Sequence, residues 1–299
     1  MHVVRGVFSG IFGCVLVAAL VALGTIISLN LTVLNPDFAI SELDKLGGYS
    51  IISDKVREQI PAEGPYVAQL VDETIIELEP WLREQTNTAV YAIHAYLKGD
   101  QPLNIVIPLG QVRACVKRNV EQIILELLPP ELGRASQGQI QAFLPLVYAE
   151  IDKRIPEQIE LNEAFLGPEI TAQFQKARQI VGYMQLSYKL SVGLAVLMVL
   201  LIALIQSWHV KSITLSVGIA MAIAGAVSLL GSMVSGTLIP GLLHDIPAEI
   251  MPILPQLITD AIRPLRTYGI TILITGIGLI VLSIRISPAR YAFGADRPQ

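Results

Sequence analysis

Four stretches of the chain are continuously apolar, 7–34, 190–205, 213–234 and 268–284, and none of them contains Asp, Glu, Lys, Arg or His. A helix needs roughly 20 apolar residues to cross a bilayer. The first and third stretches meet that length with room to tilt. The second and fourth reach it when Tyr188, Lys189 and Arg285 sit at the headgroups, where long side chains snorkel. The pattern therefore predicts an N-terminal transmembrane anchor within 1–34, and three more spans at about 187–207, 212–235 and 266–285. None offers an ionisable side chain for proton relay or ion coupling inside the membrane.

The first stretch also invites comparison with a cleaved signal peptide, whose apolar region is about 7 to 15 residues long. Here the run continues through Ile26, Ile27, Leu29 and Leu31 with no small-residue cleavage site, so a retained signal anchor is expected. Cys14 does not fit lipoprotein processing, because Phe12 stands where a small residue is required; it reads as a structural membrane cysteine.

Between the first and second spans, residues 35–186 are polar, Pro-punctuated and periodic at helical spacing. Val67, Val71, Leu78, Leu82, Ala89, Ile93 and Leu97 share one face, with Pro80 expected to divide them into two helices and Gly99-Asp100 to end them. A second stripe, Val112, Val116, Val120, Ile123 and Leu127, stops at Pro129-Pro130. A third, Ile140, Leu144, Val147 and Ile151, stops before Pro156. No segment alternates as a strand would. Ile170, Phe174, Ala177, Val181, Met184 and Tyr188 keep helical spacing up to the second apolar run. One helix is thus expected from Pro168 to about Gln206, about 58 Å long at 1.5 Å per residue. In the segment 236–265, Pro247, Pro252 and Pro255 predict short amphipathic pieces, the last leading into the fourth span with a kink at Pro264.

Charge then suggests an orientation. Arg5, His209, Lys211, Arg285, Arg290 and Arg297 fall on one side of this layout, against Arg263 and Arg266 in the short segment on the other. Long domains do not count in the positive-inside rule, so both termini are expected in the cytoplasm and the large domain outside. From 33 to 186 there are 21 acidic and 13 basic residues, a net charge of −8. Such a surface disfavours nucleic acid and anionic lipid and suits a basic partner, or Arg263 and Arg266 of the same chain as domain-to-loop ion pairs. Only two cysteines are present, Cys14 and Cys115, one in a span and one in the domain, so no intramolecular disulfide is expected. The one Asn-x-Thr triplet, Asn30 to Thr32, lies at the bilayer, and the domain has no such acceptor; a prokaryotic plasma membrane is the expectation.

Candidate chemistry is sparse. His2, His94, His209 and His244 lack the paired spacing of a zinc helix. His244, Asp245 and Glu249, joined by His94, are the nearest thing to a ligand set, and interfacial and capping roles fit them better. Asp72, Glu73, Glu77, Glu79 and Glu84 form the densest acidic stretch, but on helices pointing several ways they read as a solvated face rather than a calcium site. No nucleophile elbow or phosphate loop occurs, and Cys115 on its apolar stripe reads as a buried, inert thiol. No cofactor, metal or catalytic residue is expected.

The membrane runs do carry small residues at close-packing intervals. Gly6 and Gly10 lie in the first, Gly218, Ala222 and Ala226 form a ladder in the third, and Gly269, Gly276 and Gly278 thin the fourth. Such spacing lets helix backbones approach. Ser228, Ser232 and Ser235 share a face that would line a narrow path, unless the hydroxyls bond back to their own helix.

The expectation is an all-α membrane protein of four transmembrane helices, with a helical extracytoplasmic domain at 35–186 and a short cytoplasmic tail. Functionally it reads as a non-enzymatic membrane protein whose outer domain binds a protein partner or ligand, with the lipid bilayer and a protein partner or second copy as its contacts. The alternative is a channel or transporter component with a pathway formed between subunits.

Overall fold

The computed structural model describes residues 2–60, 65–126, 137–242, 251 and 253–285. Their order is α1 (His2–Leu31), α2 (Pro36–Lys45), α3 (Gly48–Gln59), α4 (Pro65–Lys98), β1 (Asn104–Pro108), α5 (Gly110–Glu126), α6 (Gln137–Arg154), β2 (Gln158–Asn162), α7 (Glu163–Ile205), α8 (Val210–Leu242) and α9 (Leu254–Arg285). Among the described residues the fold is overwhelmingly helical, with no closed sheet. Among the described residues, four helices are long and apolar enough to cross a membrane, at Phe8–Leu31, Glu163–Ile205, Val210–Ser235 and Leu254–Arg285. The chain divides into two compact units, Met1–Leu34 with Tyr183–Gln299, and Asn35–Gly182.

In the polar unit, local chemistry sets the helix ends. Asn35 caps α2 by accepting from the Asp37 amide at 3.1 Å, with Pro36 in the first helical position. Gly99, at φ 87°, ends α4: its own N–H donates to the Tyr96 carbonyl and the Asp100 N–H to the Ala95 carbonyl. That pair of bonds is the left-handed glycine stop a helix uses to satisfy its last carbonyls. Gly167, at φ 78°, breaks the start of α7, and Pro168 opens the long helix that then runs to Ile205.

Two expectations are corrected here. Pro80 does not divide its stretch: α4 is one helix with Pro80 inside it. The proline ring and its missing N–H disturb only the preceding turn, and both Pro80 and Ile76 are exposed, so water can satisfy the freed carbonyl. The unit also contains strands. β1 and β2 pair antiparallel with Asn104 opposite Asn162 and Pro108 opposite Gln158. Ile105, buried with Leu103 and Tyr96, anchors a core to which Ala89, Ile93, Leu97, Leu161 and Phe174 contribute. The Tyr96 and Phe174 rings meet edge to face at 6.2 Å.

In the apolar unit, α8 and α9 form the tightest pair. Leu16 of α1, Met198 and Ile202 of α7 and Ala220 of α8 make a second core. α8 and α9 both extend beyond the expected spans, so 236–242 belongs to α8 and 254–265 to α9. Pro264 lies inside α9.

Candidate functional site

The polar unit concentrates its chemistry on α5. On the side facing α4, Cys115 is only 2% exposed and its thiol donates to Glu77 Oε2 at 3.0 Å. Arg118 pairs with the other oxygen of Glu77. Asn119, also buried, donates to Thr74 Oγ1 at 3.0 Å. The thiol bond from Cys115, helped by the Arg118 guanidinium and opposed by burial, holds the Glu77 carboxyl below its usual value. Burial, with Glu77 adding to it, pushes the Cys115 thiol up to about 11.

A thiol in that state keeps its proton at neutral pH and ionises only in alkaline solution. Nucleophilic and metal-binding cysteines have the opposite environment, one that lowers the pKa. On the other side of α5, Lys117 pairs with Asp152 of α6 at 2.7 Å and Tyr148 donates to Glu121 at 2.6 Å. Arg113 Nε donates to the Ile155 carbonyl at 2.7 Å. These groups tie α4, α5 and α6 to one another.

A second polar knot lies around α2 and α3. Tyr49, buried on α3, donates to Asn87 Oδ1 at 2.5 Å, and Arg83 stacks its guanidinium over the ring at 4.4 Å while pairing with Asp44. Glu42 is buried nearby on α2, with Oε1 2.5 Å from Lys45 Nζ and Oε2 lacking a partner among the described residues. His94 is engaged with the Val90 carbonyl through Nδ1 at 2.7 Å. Among the described residues no group of three or more His, Cys, Asp or Glu is placed to hold a metal. His244, Asp245 and Glu249 lie outside the described residues.

The small residues singled out in the membrane runs separate into two sets. Gly218, Ala222 and Gly276 come together: a Cβ on Gly276 would stand 2.5 Å from the Ala222 nitrogen and 2.7 Å from the Gly218 carbonyl oxygen. Gly225 and Gly269, seven residues along each helix, repeat the contact. Ala226 is half-buried beside this seam. Gly10, by contrast, meets nothing: a Cβ there, or at Gly13, would have open space. Gly6 lies in α1. Arg263 and Arg266 lie exposed on α9.

Two contacts were not legible in the sequence. Gly24 of α1 receives the ring of Tyr268, whose hydroxyl donates to the Leu20 carbonyl at 2.8 Å. Gln206 Nε2 donates to Ser9 Oγ at 3.1 Å and to Ser216 Oγ at 2.7 Å, so one amide joins the ends of α1, α7 and α8. A lone glycine or glutamine at the edge of an apolar run gives no hint of its partner. Ser232 and Ser235 bond back to carbonyls of their own helix. Ser228, 3% exposed, has no partner for its hydroxyl among the described residues.

No protein-family description matches the chain, and no curated protein or solved structure matches it significantly.

Proposed function

We propose that the chain is a non-enzymatic integral membrane protein of a prokaryotic plasma membrane, with both termini in the cytoplasm. In this reading the helical domain lies outside and binds a protein partner. The observation that carries it is an apolar patch on a polar helix: Phe143 and Leu146 of α6 are 55% and 67% exposed. They sit three residues apart, Phe143 one position before the buried Leu144 and Leu146 two positions after it. A water-facing helix normally points polar side chains outward, and exposed large apolar groups on a soluble surface favour a contact that removes them from water.

The net charge of −8 between 33 and 186 suits a partner with a basic rim around an apolar centre. Arg263 and Arg266 are proposed as ion-pairing partners for the same acidic surface. The raised Cys115 pKa supports a binding role over an enzymatic one, because it removes the one thiol nucleophile in the domain from neutral-pH chemistry.

The test uses the full-length protein in its native membrane with a photo-crosslinking residue at Leu146. One discrete adduct is expected, lost on Phe143→Ser and kept on Lys153→Ser. No adduct above that of a crosslinker at exposed Glu160 would end the reading. Orientation is tested separately: a cysteine placed within 132–139, in a Cys14→Ser, Cys115→Ser background, is expected to react with a membrane-impermeant thiol reagent on intact cells. Reaction only after lysis would reverse the topology.

A further inference from the structure

The cleft between α1 and α8 has a volume of about 360 Å³ and an amphiphile's arrangement of polarity. Its body is formed by Gly10, Gly13 and Cys14 of α1 and by Ile219 and Ile223 of α8, and its one end by Ser9 and Ser216. Gly10 and Gly13 are what open it, since a Cβ at either would meet nothing within 4 Å. Glycines on the seam between α8 and α9 are filled by the facing backbone; these two are not.

The polar end is set by Gln206. Its amide nitrogen donates to both serine oxygens, so each hydroxyl is used as an acceptor and keeps its own hydrogen to give. Neither hydroxyl donates to any acceptor among the described residues. Gln206 Oε1 is itself buried without a partner among them. Beside it, Trp208 stands 68% exposed on the turn between α7 and α8. Tryptophan concentrates at the bilayer boundary, which puts Ser9 and Ser216 at the depth of lipid esters.

From Ser9 to Val17, which also lines the cleft, α1 rises about 12 Å. Spread over that length, the volume leaves a cross-section of about 30 Å², well below the roughly 80 Å² of a helix 10 Å across. That width is closer to one hydrocarbon chain than to a whole helix.

We propose that the cleft binds one acyl chain of a membrane glycerolipid, with an ester carbonyl accepting from Ser9 and Ser216. This site is independent of the partner surface on α6.

The test reconstitutes the full chain in phosphatidylcholine vesicles containing a trace of phosphatidylcholine with a diazirine near the head of one acyl chain. After irradiation, the segments 9–17 and 216–223 are expected to be labelled about tenfold more than the lipid-facing segment 274–282 of α9, roughly threefold for each membrane hydrogen bond. Ser9→Ala with Ser216→Ala removes most of that excess. Gly13→Leu fills the cleft and abolishes it, whereas Gly278→Leu, at an equally open position on α9, leaves it unchanged. Equal labelling of all lipid-facing segments, or an excess that survives Gly13→Leu, overturns the proposal. So does oxidation that converts most of the protein to a Cys14-to-Cys14 dimer, because a second copy would then occupy the face.

Discussion

Gly225 of α8 and Gly269 of α9 lie so close that a Cβ built on Gly225 would stand 2.7 Å from the Gly269 carbonyl oxygen and 2.5 Å from the Leu273 nitrogen. Both obstacles are backbone, which cannot rotate aside as a side chain can. Gly218 and Gly276 repeat the arrangement one heptad away, so the two helices touch through their main chains over at least two turns. In lipid, where apolar side chains gain little by meeting each other, close backbone packing is a main source of association.

Gly225→Ala is therefore expected to destabilise the membrane unit by about 1–3 kcal/mol, the usual cost of overpacking. Gly278→Ala is the control: its Cβ meets open space, and alanine favours a helix over glycine by about 1 kcal/mol. Unfolding midpoints of the two variants in a detergent titration should fall on opposite sides of the wild type. Equal midpoints would mean that α8 and α9 do not pack through this seam.

Ser228→Ala should leave the protein as stable or more stable, by about 1 kcal/mol. The hydroxyl is buried and unpartnered among the described residues, and leaving such a group unmet costs about 1–3 kcal/mol. Ser232→Ala, which removes a hydroxyl already bonded to the Leu229 carbonyl at 2.7 Å, provides the comparison. A clear loss of stability in Ser228→Ala would show that this hydroxyl has a partner.

The buried thiol of Cys115 gives a pH signature. Its folded pKa is raised from 9.0 to about 11, so the neutral thiol's contribution is fully present below about pH 9 and is lost as pH rises through 11. Melting temperature measured from pH 8 to 11 should fall in the wild type and fall less in Cys115→Ala. In a Cys14→Ser background at pH 8, thiol reagents should react slowly with the native protein and quickly after denaturation. Fast native labelling would contradict the burial.

Glu77 behaves in the opposite sense. Its folded pKa lies below the usual carboxylate value, so its contribution is present above that usual value and is lost as pH falls through the lowered one. Arg118→Ala removes one support of the carboxylate and should shift this acid loss to higher pH, measurable in the same melting series.

Tyr49→Phe keeps the ring under Arg83 but removes the hydroxyl that donates to Asn87. A loss of about 1 kcal/mol is expected. Tyr49→Ala, which empties a site where the ring is 3% exposed, should cost about 3–5 kcal/mol, as other buried aromatics do.

How far the sequence reached can be seen at particular residues. Helix stops such as Gly99-Asp100 were legible because the signal is local: a glycine able to take positive φ just after an apolar stripe. The second stripe placed Cys115 on a buried face correctly but passed over Asn119, which is buried because Thr74 offers it a hydrogen bond from another helix. β1 and β2 were invisible for a related reason. Each is five residues long, and neither makes sense until the other, some fifty residues away, completes its hydrogen bonds.

The sequence by itself determined the four apolar helices, because hydrophobic length and the absence of charge are properties of a continuous segment and need no partner. It also determined the character of α7, since an unbroken period from Pro168 onward leaves nothing to end the helix before Ile205. Only the tertiary structure decided which small residues are used. Gly10 and Gly276 look alike in sequence, yet one faces an open cleft and the other a neighbouring backbone. The difference is made by the helix that arrives opposite, and that choice depends on packing between segments which no local pattern records.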